Sequence, residues 1–400
     1  MQSTSRSIAL SVGLLLVLGS WAAAQPPLAG PPGPAVCGSG SPCSNIPPGL
    51  DFPCATPSGC DCGTSIFLER KIHPEPCVSC EPKTYGCPEA PSWYVEADAV
   101  ALMRDPDSDR AFATLGPDDG DPIYALSSGD LEYGFRPGGR LLLGRMLGPR
   151  YGLETTVLVA DNWAESLAVR DNTANDVGGF GNLFSPFTEF GNPPVDGLDY
   201  NNLAVIREES SFTSVEINIR QRLEMPPIPM QSSLFYGIRY IDIGEDFNYY
   251  TESDLPSANA VDVSTDNRLL GVQLGALFEF HVEPRWWVNL RMSAALCGND
   301  ASQTTLYTAT DELGVPTEFA GDRDDLVTAF AGELSLSFNY YITPNLMTRL
   351  GWRGLWIEGL ALAAENFEDD VDILTLGPAG LVDDGKVIYH GPFLGTAMVW

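Results

Sequence analysis

Charged residues recur at alternate positions along several stretches of this chain, on the side that is otherwise small or polar. Because successive side chains of a β-strand point to opposite faces, these groups are expected to line one interior. Buried charges need partners, so the pattern predicts a ladder of ion pairs filling that interior rather than isolated reactive groups. The predicted interior charges are Glu216, Arg220, Arg239, Glu279, Arg291, Glu333, Arg349 and Arg353.

Nucleophilic catalysis has little support in the sequence. A serine or cysteine nucleophile needs a base within hydrogen-bonding reach, and the only histidines are His73, His281 and His390. No GxSxG, HExxH or phosphate-binding loop is present. Cys297, alone near the end of a predicted strand, is interpreted as a small packing residue. The sequence therefore predicts a protein that is not an enzyme.

Three stretches carry closely spaced carboxylates that could bind calcium, which takes roughly six to eight oxygen ligands. None has the spacing of an EF-hand, and a solvated acidic surface is the favoured explanation of each stretch. We expect weak, collective binding of divalent cations and no other cofactor. The candidate residues are Asp105, Asp107, Asp109, Asp322, Asp324, Asp325, Asp369, Asp370 and Asp372.

The segment 25–92 is rich in proline, glycine and cysteine, a composition that cannot bury a hydrophobic core. An even number of cysteines in an exported chain favours disulfides, although their pairing cannot be deduced. The alternative is a metal site using Cys77 and Cys80 with His73, or Cys60 with Cys62. The disulfide candidates are Cys37, Cys43, Cys54, Cys60, Cys62, Cys77, Cys80 and Cys87.

Residues 1–24 have the form of a secretory signal peptide. Arg6 precedes an apolar run from Ile8 to Gly19, and Ala22-Ala23-Ala24 offers the cleavage site. The run is too short for a membrane anchor, which needs roughly 20 apolar residues. The predicted organisation is a signal peptide (1–24), a Pro/Cys-rich neck (25–92) and a barrel (93–400).

From Trp93 onward, apolar and polar residues alternate with period two, which predicts about ten strands. Short turns alternate with long loops, as in outer-membrane barrels. The loops are expected at roughly 105–130, 162–210, 247–266, 298–325 and 362–385. The strands are expected at 93–104, 131–147, 151–161, 211–225, 232–246, 267–282, 286–297, 326–341, 346–361 and 386–400.

Alternation alone does not say which face points outward. A soluble lipocalin-like barrel would place the apolar face inside. The strands, however, are long enough to cross a tilted bilayer, and their polar faces lack the lysines of a solvated sheet, since the chain has only three. We therefore predict an all-β, antiparallel, up-and-down transmembrane barrel in a bacterial outer membrane.

The closing strand ends in an aromatic residue and resembles the C-terminal strand that the barrel-assembly machinery recognises in outer-membrane proteins. The resemblance implies that Leu394, Met398 and Trp400 face the lipid and form the assembly signal of the closing strand. Together with the leader, the neck and the glycine-rich closing strand, two strand motifs make the chain similar to a planctomycete outer-membrane β-barrel family of unknown function. These motifs are Trp93-Tyr94-Val95-Glu96-Ala97-Asp98 and Tyr236-Gly237-Ile238-Arg239-Tyr240.

The net charge of −31 excludes non-specific nucleic-acid binding, and nearly all of it falls in the predicted long loops. An acidic rim attracts cations. The expected role is structural, or an interaction with cations or with cell-wall or surface components, in contact with outer-membrane lipid. The alternatives are a narrow cation-favouring diffusion channel, a barrel enzyme and a soluble secreted barrel.

Overall fold

The computed structural model describes residues 93–106, 108–118, 120, 122–171, 181–223, 230–253, 257–311, 313–376 and 380–400. The predicted signal peptide and neck, with all eight disulfide candidates, lie outside the described residues. Among the residues that the structure does describe, no helix is both long and apolar enough to cross a membrane.

Regular structure in the described residues is almost entirely β. Two short 3₁₀ helices (Ser128–Asp130 and Pro186–Thr188) and one α-helix, α1 (Val371–Leu376), lie in connections between strands. The strands are β1 (Trp93–Pro106), β2 (Ala111–Leu115), β3 (Ile123–Ser127), β4 (Arg136–Met146), β5 (Tyr151–Arg170), β6 (Leu183–Phe184), β7 (Asn201–Leu223), β8 (Met230–Ser253), β9 (Ala258–Glu283), β10 (Trp286–Thr310), β11 (Pro316–Thr343), β12 (Leu346–Leu360) and β13 (Gly385–Val399).

Ten of these strands close a ring in the order β1, β4, β5, β7 through β13, each antiparallel to its neighbours. The ring closes where β13 pairs with β1, and the backbone amides and carbonyls of Trp93 and Trp400 exchange two hydrogen bonds of 3.0 Å. The short strands β2, β3 and β6 extend the sheet from β7. The predicted ten-stranded up-and-down barrel is confirmed.

In the half of the barrel next to the short turns, the apolar side chains point outward. On β9, Leu270, Val272 and Leu274 are each more than 60% exposed, whereas the intervening Gln273 is 4% exposed. The same arrangement holds on the neighbouring strands, so an apolar band surrounds a polar interior. This part, called the short-turn half below, has the pattern of a membrane barrel and excludes the soluble alternative.

The pattern inverts further along the same strands. On β9, the inward Val261 and Val263 are fully buried, and the outward Asp262 and Asp266 are exposed. The outward side chains change from apolar to polar at one level of the paired strands, between Tyr240 and Asp242 on β8 and between Leu270 and Arg268 on β9. Beyond this level lies the long-loop half, which is built like a water-soluble barrel with an apolar core.

The height of the apolar band fits a bilayer. At about 3.3 Å per residue, the outward face from Leu270 to Val282 spans roughly 40 Å of strand. With a strand tilt of about 45°, this corresponds to a height of roughly 28 Å, close to the hydrocarbon thickness of about 30 Å.

The inversion corrects two of the predicted loops. Residues 247–253 continue β8 and 258–266 begin β9; similarly, 298–310 continue β10 and 316–325 begin β11. The predicted loops 162–210 and 105–130 also contain strand, at the ends of β5 and β7 and in β2, β3 and β6. These segments still alternate between apolar and polar residues, but here the apolar side chains point inward. The pattern of apolar side chains pointing outward therefore ends at the level where the outer surface passes from lipid to water.

Replacing Leu274 with arginine on β9 places a charge in the middle of the apolar band. We expect this change to lower the free energy of unfolding by about 2–4 kcal/mol. The control, Ser264→Arg on the outward face of the long-loop half, should change it by no more than about 0.5 kcal/mol. Urea titration in lipid vesicles measures both values, and equal effects at the two sites would contradict the assigned boundary.

Candidate functional site

All eight predicted interior charges lie on the inward side of the barrel, in the short-turn half. They are joined by four further charged groups from β1, β4 and β5, which the sequence analysis did not include. The four are Glu96, Asp98, Arg140 and Glu154. They occupy the same alternate positions as the buried residues of their own strands, so the period-two pattern contained the signal for them.

One series of ion pairs runs across the interior from β12 to β8 and β7. Glu333 lies 3.4 Å from Arg353 and 3.0 Å from Arg239. Glu216 then lies 3.7 Å from Arg239 and 3.9 Å from Arg291. Each carboxylate therefore lies between two guanidinium groups, which spreads its charge over two partners.

The series continues to β5 and β9. Glu154 lies 3.4 Å from both Arg291 and Arg220, and Arg220 lies 2.9 Å from Glu279. Side-chain amides extend the network, since Gln273 donates to Glu216 at 2.9 Å. The eight members of the series are four arginines and four glutamates, so the series has no net charge.

A second cluster lies against β1. Arg140 contacts Glu96 at 2.8 Å and Asp98 at 3.1 Å, and Arg349 contacts the same two carboxylates. This cluster also balances two cations with two anions. Together the two networks, called the ion-pair layer, fill the short-turn half with charges that have opposite-charge partners within 4 Å.

Beyond the ion-pair layer, Arg104 of β1 lies fully buried between two carboxylates. Its Nη2 is 2.9 Å from Glu208 and also contacts Glu245. The guanidinium carbon lies 4.7 Å from the ring centre of Tyr133, and the backbone amide of Ala363 donates to Glu245 at 3.0 Å. This site was missed because its three charges come from distant strands in the half where apolar residues face inward.

The long-loop half is filled by an aromatic cluster, the outer core. The ring of Phe367, from the connection between β12 and β13, lies 5.1 Å from Phe112, 5.3 Å from Tyr249 and 5.8 Å from Phe187. All four side chains are at most 9% exposed. Phe112 and Phe187 come from the two other long connections, so three connections fold into the barrel and close it.

Amide side chains on the barrel wall hold the connection that carries Phe367. Asn267 donates to the carbonyl of Ala361 and accepts from its amide, both at 2.8 Å. Gln303 donates to the carbonyl of Asn366 at 2.9 Å, and Asn299 to that of Gly359 at 2.9 Å. These bonds satisfy buried backbone groups that have no strand partner.

A buried carboxylate organises the connection between β6 and β7. Asp199 accepts hydrogen bonds from the backbone amides of Ser185 and Val195 and from the hydroxyl of Thr188, at 2.8 to 3.0 Å. Burial raises the pKa of Asp199, and the three bonds oppose that shift. Because Phe187 lies between Ser185 and Thr188, this turn fixes one wall of the outer core.

The candidate calcium ligands do not converge. Among the described residues, no group of three or more potential metal-binding side chains occurs. Asp109 accepts from Ser127, Asp369 pairs with Arg110 at 2.7 Å, and Asp370 accepts from the amide of Asp372. Asp105, Asp322, Asp324 and Asp325 are exposed on strands, and Asp107 lies outside the described residues.

The remaining candidates are spread over the barrel. His281 shares the inward side of β9 with Glu279, whereas His390 faces outward on β13 and its ring lies 6.0 Å from that of Trp352. His73 lies outside the described residues. Cys297 is buried. Leu394 and Met398 are exposed on the outward face of β13, and the terminal Trp400 is half exposed.

Arg239 joins two carboxylates in the middle of the ion-pair layer. We expect Arg239→Met to lower the free energy of unfolding by about 3–5 kcal/mol, because Glu216 and Glu333 lose a shared cation. Adding Glu216→Gln should recover part of the loss, because the remaining three arginines and three glutamates of the series again balance and each keeps a partner. The control, Arg268→Met on the exposed face of β9, should have an effect within about 0.5 kcal/mol. Urea titration measures the three free energies of unfolding, and no recovery in the double variant (Arg239→Met with Glu216→Gln) would contradict charge balance as the cause.

Several solved outer-membrane proteins align with this chain at low similarity. The outer membrane protease OmpT of Escherichia coli is 10% identical over 77% of this chain and 97% of its own, with a TM-score of 0.37. A major outer membrane protein of Thermus thermophilus is 12% identical over 77% and 100%, with a TM-score of 0.30. A Pseudomonas aeruginosa FadL homologue is 9% identical over 78% and 90%, with a TM-score of 0.22.

No curated protein sequence matches the chain. The family Putative beta barrel porin-7 (BBP7) matches residues 123–386, well over half of the chain and most of the closed ring. The match supports the expected outer-membrane barrel family and does not bear on a planctomycete origin. The apolar band, the polar interior and this match together lead to one assignment: the chain is an outer-membrane β-barrel that belongs to the Putative beta barrel porin-7 family.

Proposed function

We propose that this outer-membrane barrel is closed to solutes in the state described and has a structural or surface-interaction role. The observation that carries the proposal is that side chains fill the interior at two levels. The ion-pair layer occupies the short-turn half, and the outer core occupies the long-loop half.

Barrel size supports a closed interior. Eight strands enclose little more than side chains, whereas open aqueous channels need roughly sixteen. Ten strands give a slightly wider lumen, which six arginines with their carboxylate partners occupy in the short-turn half. In the long-loop half, Tyr249, Phe112 and Phe367 are each at most 2% exposed. An ion would have to displace both layers to cross.

Because the interior is closed, contacts with other molecules are made by the outer surface of the barrel. The outward face of the long-loop half carries exposed carboxylates such as Asp246, Asp262 and Asp266. We propose that this surface binds divalent cations weakly and collectively and contacts cell-wall or surface components, while the apolar band contacts outer-membrane lipid. Nucleic acid is not a proposed partner. We also propose that Leu394, Met398 and Trp400 form the signal read by the assembly machinery during insertion.

A second candidate is a narrow diffusion channel that favours cations. The family description supports it, and so does the acidic outer surface, since a negative mouth raises the local cation concentration. An enzymatic role is not proposed, because the inward His281 and the outward His390 lie on opposite sides of the barrel wall.

Single-channel recording in planar bilayers separates the two candidates. We expect no conductance from the natural chain, from an outer-core variant (Phe112→Ala with Phe367→Ala) or from an ion-pair-layer variant (Glu216→Ser, Arg239→Ser and Glu333→Ser). Only the variant that combines both sets should conduct, because each layer alone blocks the lumen.

Heat-dependent mobility on a detergent gel is the folding control for every variant. Steady conductance from the natural chain would overturn the closed-barrel proposal. A reversal potential favouring cations in that case would support the channel instead.

A further inference from the structure

The barrel wall is uneven in height, which leaves a strand edge open in the long-loop half. Strand β11 pairs with β10 from Pro316 to Tyr340. Its pairing with β12 begins only at Phe330, opposite Glu358. Residues 316–329 of β11 therefore have a strand neighbour on one side only, among the residues described. Helix α1 contacts β11, and Val371 and Phe319 both pack against the buried hydrophobic core.

The backbone groups along this edge are oriented for pairing. The carbonyl oxygen of Thr328 points toward β12, since it lies 2.6 Å from where a Cβ of Gly359 would be. The amide and carbonyl of one residue point to the same side of a strand, and successive residues alternate. Even-numbered residues from 318 to 326 therefore present both groups to the open edge, and all five are exposed.

The edge is acidic. Glu318, Asp322, Asp324 and Asp325 lie along it with one cation, Arg323, and all are exposed. Charge of a single sign is a common means of preventing two identical edges from pairing, because the second copy would bring the same charge. It also selects a partner of opposite sign, since complementary potentials steer association.

A depression of about 620 Å³ that is largely open to the surroundings, called the cavity below, lies at the foot of the edge, where β12 ends. Its lining includes the apolar residues Leu296, Val327 and Phe330 and the acidic residues Glu358, Asp383 and Asp384. A lysine or arginine side chain matches this lining, because its aliphatic stem packs on apolar surface while its charged head stays polar. The cavity and the edge adjoin, since Val327 and Phe330 belong to β11.

We propose that residues 316–329 of β11 bind an extended, basic segment of a partner protein by adding it as a further antiparallel or parallel strand. Backbone hydrogen bonds from the even-numbered residues supply the pairing, and a lysine or arginine of the partner enters the adjoining cavity. This mode of recognition joins main-chain pairing to a side-chain pocket. The proposal rests on the surface-interaction role above and names its partner class.

Fluorescence anisotropy with the full chain in detergent micelles tests this proposal. The probe is a labelled ten-residue peptide in which valine alternates with lysine or arginine. Two control peptides accompany it: one replaces every basic residue with glutamate, and the other is N-methylated at alternate residues. We expect the basic peptide to bind, the acidic peptide not to bind, and N-methylation to weaken binding at least about tenfold, because it removes the pairing amides.

Two variants locate the site. Ala320→Pro removes an amide that faces the open edge and leaves the pairing with β10, so binding should be lost. Asp383→Asn with Asp384→Asn should weaken binding about tenfold by removing charge from the cavity. The matched control, Asp130→Asn with Glu132→Gln, removes the same charge from exposed positions in the connection between β3 and β4 and should leave binding unchanged. Heat-dependent gel mobility verifies folding.

Strand addition would be overturned if the N-methylated peptide bound as tightly as the basic peptide, or if the control variant lost as much binding as the variant of Asp383 and Asp384. Either result would indicate diffuse charge attraction instead. Absence of binding by the basic peptide would also overturn strand addition. If Ala320→Pro instead changed the mass of the natural assembly in sedimentation, the edge would pair with a second copy of the chain. None of these results bears on whether the lumen conducts, so the closed-barrel proposal fails or stands separately.

Discussion

The outer surface of the barrel passes from lipid to water part-way along the same strands, and the rest of this structure depends on that constraint. A single alternating strand must turn apolar side chains outward toward lipid and then inward away from water. On β8 the change falls between Tyr240 and Asp242 on the outside, and Ile241 and Ile243 begin the apolar interior. Polar and charged side chains fill the lumen in the short-turn half, and mainly apolar side chains fill it in the long-loop half.

The two halves of the barrel bury different kinds of side chain, and each stabilises them in a different way. In the short-turn half, six arginines and six carboxylates share a narrow lumen, and placing most carboxylates between two guanidinium groups limits the cost of desolvation. In the long-loop half, the strands alone leave a wide apolar interior. Three connections bring Phe112, Phe187 and Phe367 into it, and wall residues such as Asn267 satisfy their backbones.

Period-two alternation was sufficient to predict the ten strands and the inward side of all eight interior charges. It was insufficient where the apolar phase reverses, because Val261 and Val263 alternate as regularly as Leu270 and Val272 but on the other side. Pairings such as Arg239 with Glu333 depend on which strands face each other across the lumen, and no local pattern carries that information. Arg104 with Glu208 and Glu245 was missed for the same reason.

The interior packing also bears on how a member of a porin family could be closed. Opening the long-loop half would expose Phe367, Leu362 and Leu374, each at most 3% exposed. Burial of such side chains contributes about 1.5–3 kcal/mol each, or roughly 5–9 kcal/mol in total. With about 1.4 kcal/mol per factor of ten, spontaneous opening would occupy roughly one molecule in 10⁴ to 10⁶. Conduction would therefore require a partner or ligand that binds the open state more tightly than the closed one.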